Sequence, residues 1–128
     1  MSVEVTDREA QAVAVAPRVQ LADIEGAILR RHDFLAGDAV DAIVGLEASG
    51  DDPALLPEDA PEFLLSICIL TMRNGFVVVG KSAPASPANF NPDLGKKFAY
   101  EDAIRQLWPL MGFALRDQLA GTGMTPAA

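Results

Sequence analysis

The residues that could do chemistry are few. The chain holds one histidine, His32, and one cysteine, Cys68. A transition-metal pair or a Ser-His-acid triad would have to draw on that same imidazole, and no nucleophile-elbow pattern supplies a serine for it. Neither a phosphate-binding loop nor a dinucleotide fingerprint is present. Cys68 lies between Ile67 and Ile69 in an apolar run and reads as a small buried hydrophobe. The paired carboxylates Asp51-Asp52 and Glu58-Asp59 fall in an acidic stretch with prolines, without the alternating ligand spacing of a calcium loop. They read as solvated charge. The expectation is a non-enzymatic chain with no catalytic set, metal site or cofactor.

One group of polar residues remains: Lys81, Ser82, Ser86, Asn89 and Asn91, followed by Lys96 and Lys97. Asn91-Pro92-Asp93 has the composition of a helix start, with a capping side chain, a proline at the first helical position and an acid against the dipole. Such a helix end presents unpaired N–H groups and partial positive charge, and flanking lysines would suit it to a phosphate or carboxylate. The plain alternative is that Asn91 only caps, the serines make local turns and the lysines are solvated. Asp93 favours that alternative, because it already places an anion there. The ligand-binding candidates are Lys81, Ser82, Asn89, Asn91, Lys96 and Lys97, for a small anionic ligand.

The elements that must hold these residues follow from periodicity. Residues 1–18 read as a tail or weak element ending near Pro17. Leu21, Ile24, Ala27 and Ile28 recur at helical spacing, which predicts a helix from Leu21 to Arg31 with His32 against its C-terminal dipole. Residues 38–48 repeat the pattern more weakly, and 33–60 reads as an acidic loop or insertion. Phe63–Met72 and Phe76–Gly80 are apolar runs separated by Arg73-Asn74-Gly75, a strong hairpin signal in which Asn74 and Gly75 would both take φ > 0. Both runs are apolar on both faces, so the hairpin, about 63–81, should be covered on both sides, by helices or by a partner subunit. Leu94, Phe98, Ile104, Leu107, Trp108, Met111 and Leu115 form the stripe of a long helix, in which Pro109 removes the donor to the Arg105 carbonyl and should kink or break it. The fold class is therefore α+β: N-terminal helix or helices, a two-stranded antiparallel hairpin and a long C-terminal helix kinked at Pro109. One domain should span 19–120, with a frayed tail over 121–128.

Charge narrows the partners. The chain has 128 residues and a net charge of −8. Residues 1–60 carry thirteen acids against four arginines (−9), and residues 61–128 carry five acids against six bases (+1). That disfavours sequence-independent nucleic-acid binding. The N-terminus lacks a secretory pattern, no apolar run approaches a membrane span, and a single cysteine suits a reducing compartment. The expected setting is a cytoplasm, with no membrane partner.

The second half resembles a family of short tailed-phage and prophage proteins. The residues that carry the resemblance are Leu70-Thr-Met-Arg-Asn-Gly-Phe76, Gly80-Lys-Ser-Ala83, Ser86-Pro-Ala-Asn-Phe90, Gly95, Ala99, Ala103 and Trp108-Pro-Leu-Met-Gly-Phe113. Four positions depart from the pattern. Gly80-Lys-Ser-Ala-Pro84 stands where Gly-Glu-Ser-Ala-Cys is common, Asn91 where aspartate is common, and Met111 where glutamate is common. Losing those groups argues against shared acid/base chemistry. The resemblance implies a phage-encoded accessory protein acting in the host bacterial cytoplasm. Two partner classes stand beside each other: a small anionic, nucleotide-like ligand, or a host protein gripped by the acidic N-terminal half. A homo-oligomer is expected, because a small chain poor in aromatics must cover a two-sided hairpin.

Overall fold

Asn74-Gly75 makes the turn that organises the sheet. Gly75 takes φ of 90°, and no other described residue has positive φ. The Gly75 N–H donates to the Met72 carbonyl at 2.9 Å, and the Met72 N–H to the Phe76 carbonyl at 2.8 Å. The loop is thus Arg73-Asn74-Gly75, an ordinary turn followed by a glycine in the left-handed region, and not a two-residue turn with both centres at φ > 0. Asn74 contributes differently: its Oδ1 accepts the Phe76 N–H at 2.9 Å.

The computed structural model describes residues 3–13, 16–48 and 54–121. The Asp51-Asp52 pair and the tail 122–128 lie outside them. The elements are α1 (Val3–Val13), α2 (Leu21–Gly26), β1 (Ile28–Leu35), α3 (Ala36–Glu47), β2 (Ser66–Met72), β3 (Val77–Ser82) and α4 (Pro92–Gly121), with short 3₁₀ turns at Pro61–Leu64 and Pro87–Asn89. The class is α+β, and the sheet has three antiparallel strands in the order β1-β2-β3.

The third strand is the main difference from the sequence expectation. The helix begun at Leu21 stops at Gly26, and Ile28–Leu35 pairs with β2 from Ile28↔Met72 to Leu35↔Ser66. Gly26 is a poor helix residue, and the ladder gives the backbone of β2 a partner on its second side. Leu21 and Ile24 are buried as the helical spacing requires, but the spacing continues into Ile28 only as a coincidence of strand entry. His32 therefore sits on an exposed strand, opposite Ile69, and not at a helix end. Two further stretches gain structure. Within 33–60, β1 runs to Leu35 and α3 follows it directly, with Gly37 packed against the Phe63 ring. Within 1–18, α1 is held by Asp7, whose Oδ1 accepts the Leu21 N–H and the Arg18 guanidinium, each at 3.0 Å.

Helix α4 lies on one face of the sheet. Its start follows the capping logic, for Asn91 Oδ1 accepts the Asp93 and Leu94 N–H groups at 3.0 and 3.2 Å. Its buried residues are Ala99, Glu101, Ala103, Ile104 and Leu107. Leu94 and Phe98, placed by the sequence in the stripe, are instead half exposed. The reason is proximity. A Cβ on Gly80 would collide with the Ala99 carbonyl and the Ala103 backbone, so small residues must face the strand there. The helical assignment runs unbroken through Pro109, which is exposed beside the equally exposed Arg105. Water can therefore serve the carbonyl that Pro109 leaves without a donor.

The core is Ile24, Cys68, Leu70, Met72, Val78, Ala99, Ala103, Ile104 and Leu107, joined by Val3 and Leu21. Every second residue of β2, from Ser66 to Met72, is buried, and those between are half exposed. One face of the sheet is thus sealed by α4, while the other is open within the chain, so its own helices supply only one of the two covers expected. No helix among the described residues is long and apolar enough to cross a membrane.

Candidate functional site

The six ligand candidates do not converge. Lys81 stands on β3 in the open face, with its N–H donating to Asp102 Oδ2 at 2.9 Å. Ser82, Asn89 and Asn91 line a cavity of about 190 Å³, together with Leu94, Gly95 and Phe98. Asn91 already spends its Oδ1 on the helix cap. Lys96 borders a different cavity, of about 270 Å³, whose other charged residues are Asp33, Asp38 and Asp93. An anion there would meet three carboxylates. Lys97 is exposed and lines neither cavity. The loop from 82 to 91 thus borders a cleft, while the lysines stand around it and not in it.

A larger cleft lies elsewhere, where the hairpin turn meets the second half of α4. It has a volume of about 420 Å³ and is walled by Ala27, Met72, Phe76, Leu107, Leu110 and Met111, with Arg73 and Asn74 at its polar end. Among the described residues, Arg73 is its one charged lining residue. The turn fixes Arg73: its N–H donates to the Ala27 carbonyl at 2.9 Å and its Nε to the Gly26 carbonyl at 3.0 Å. The guanidinium is left with its terminal nitrogens for an acceptor that arrives from outside. Met111, at the position where the resembling pattern carries glutamate, adds a wall without charge.

A second cluster joins β1 to α4. The Arg31 guanidinium stacks 4.1 Å over the Tyr100 ring, and its Nε donates to Asp33 Oδ2 at 2.9 Å. Tyr100 donates its hydroxyl to Glu25 Oε2 at 3.1 Å, which ties α4 to α2. Burial, and then the nearby Glu25 carboxylate, pushes the Tyr100 phenol up to about 12. Cys68, opposite Asp33 in the ladder, is pushed up to about 11 by burial and then by the Asp33 carboxylate. A thiol held so high is protonated at neutral pH and makes a poor nucleophile. Asp33 keeps its other oxygen, Oδ1, buried without a hydrogen-bond partner. The arrangement is a clamp closing the sheet edge on the helix, and its thiol is not an activated nucleophile. Among the described residues, no group of three or more His, Cys, Asp or Glu side chains could hold a metal ion.

Sequence reasoning missed both the cleft and the clamp. Arg31 and Asp33 share a face only if residues 28–35 form a strand, so reading a helix there hid the pairing. The cleft is made mostly of residues about thirty-five positions apart, and its sequence traces are two segments that the resemblance picked out, Leu70–Phe76 and Trp108-Pro-Leu-Met111.

No curated protein and no solved structure matches the chain significantly. A family model does match, over residues 19–119, a stretch that holds all three strands, the large cleft and the six candidate residues. On that match the chain belongs to the phage protein (N4 Gp49/phage Sf6 gene 66) family.

Proposed function

We propose that this phage protein is a non-enzymatic binder, used by a phage against its host's defences, that captures a small anionic ligand with an apolar or ring-shaped body. We place the ligand in the cleft between the hairpin turn and α4. The observation that carries this is the combination of a 420 Å³ apolar cleft with a single charged side chain, Arg73, at its rim. Small-molecule sites run from about 300 to 1,000 Å³, mostly apolar with a few polar groups that fix orientation. Phe76 and the two methionines, Met72 and Met111, offer flat and polarisable surface for a ring, and Arg73 offers a fork for a phosphate or carboxylate. A nucleotide-like molecule has both parts.

A second reading keeps the ligand at the start of α4. What favours it is the cleft lined by Ser82, Asn89 and Asn91, although its volume of about 190 Å³ is less than half that of the other cleft.

Thermal shift against a panel of nucleotides and cyclic nucleotides separates the two. The cleft reading expects stabilisation that Arg73→Ala abolishes and that Lys96→Ala/Lys97→Ala leaves intact. The reverse pattern moves the ligand to the helix start. A flat response across the panel sinks both.

A further inference from the structure

We propose that the open face of the sheet is where a second copy of this chain lays its α3 helix, in a reciprocal two-fold dimer. The register identifies the face. Phe34, Ile67 and Lys81 form one row across the three strands, His32, Ile69 and Val79 the next, and Arg30, Thr71 and Val77 the third. None of the nine is buried, whereas Cys68, Leu70, Val78 and Gly80 on the other face are. The centre of the open face is apolar and continuous, unlike the scattered single hydrophobes of an ordinary surface.

Helix α3 is the matching piece. Val40, Ile43 and Leu46 lie along one stripe, and all are exposed, Ile43 by 54% and Leu46 by 82%. Only Gly37 of this helix is buried. A twelve-residue helix is about 18 Å long, comparable to the ~23 Å of a seven-residue strand. The helix does not cover its own sheet. It leaves β1 with no intervening loop and is tied by the Ala36 N–H to the Leu65 carbonyl at 2.9 Å.

Charge chooses a second copy as the occupant. The open face carries Arg30, His32 and Lys81 and no acid, in a chain whose net charge is −8. Helix α3 carries Asp38, Asp41 and Glu47 and no base. Asp41 is engaged by the Leu56 N–H at 2.8 Å, so the exposed acid at the end of the stripe is Glu47, where the helix dipole is also negative. Edge pairing is not an available route on the β3 side. There the outward Lys81 N–H is taken by Asp102, and Gln106 Nε2 donates to the Val79 carbonyl at 2.7 Å. On that side of the sheet, association is left to the face. The inference does not depend on the ligand cleft, which lies at the hairpin turn and α4.

Sedimentation of the full chain tests it. The wild type is expected to be dimeric at micromolar concentration. Ile43→Glu on the helix and Val79→Glu on the sheet should each raise the dissociation constant at least about tenfold. Both positions are exposed, so circular dichroism and melting should show folded protein. The decisive arm mixes the two variants, since the mixed dimer retains one intact contact and should associate more tightly than either variant alone. A monomeric wild type at high micromolar concentration overturns the proposal. So does a dimer insensitive to Val79→Glu, which would place the contact between helices instead.

Discussion

Cys68, Leu70 and Val78 face α4, while Ile67, Ile69 and Val79, one position along the same strands, face away from it. The two faces are built from much the same residue types, yet the chain seals only one. What separates them is the complement and not the strand. The sealed face contains Gly80, and α4 answers with Ala99 and Ala103, so backbone packs against backbone. The open face has no glycine, its apolar centre is flanked by Arg30, His32 and Lys81, and no described helix lies across it. A strand that is apolar on both sides therefore says that two covers are needed, without saying that both come from the same chain.

Substitutions one position apart should break this pair most visibly. Leu70→Ala empties a fully buried site and is expected to destabilise by about 3 kcal/mol in chemical denaturation. Ile69→Ala, on the open face, should cost the monomer less than about 1 kcal/mol and act mainly on self-association. Equal losses would mean that the faces are equivalent. Gly80→Ala comes next. Its new Cβ meets the backbone of α4, and overpacking of this kind costs about 2 kcal/mol. If the melting temperature is unchanged, the close approach is not what seals this side.

The smallest effect concerns α1, which adds Val3 to the core from outside the sheet. The Asp7 carboxyl is held below its usual range, first by the Leu21 N–H, which burial opposes and Arg18 reinforces. A depressed carboxylate contributes stability that is present above its unfolded value near ~3.9 and is lost as pH falls through the folded value. Melting should therefore show a slight acid-induced loss below pH ~4 that Asp7→Asn lacks. Identical acid profiles for the two proteins would remove Asp7 from the docking of α1.

Local signals carried much of the fold. Asn74-Gly75 announces the hairpin because few residues take positive φ cheaply, and Asn91-Pro92-Asp93 announces α4 because a capping side chain serves donors only two and three residues away. β1 was not legible, since the helical spacing of Leu21, Ile24 and Ala27 runs on into its first residue, Ile28, and its outward positions, Arg30 and His32, are polar. α3 was faint for another reason: Val40, Ile43 and Leu46 all stay exposed, so burial does not explain their pattern. The candidate residues Lys81 to Lys97 are close in sequence, but a strand, a turn and a helix send them to different sides. The large cleft had the opposite difficulty, because apolar wall residues look like core until the helix is placed against the turn.

The face account is tested most directly by isotope-filtered NMR on a mixture of methyl-labelled and unlabelled chains. It predicts intermolecular contacts from the Ile69 and Val79 methyls to Ile43 and Leu46 of another copy, with the Leu70 and Val78 methyls showing contacts within the chain only. Ile69 and Val79 methyls that meet only solvent at millimolar concentration would contradict it.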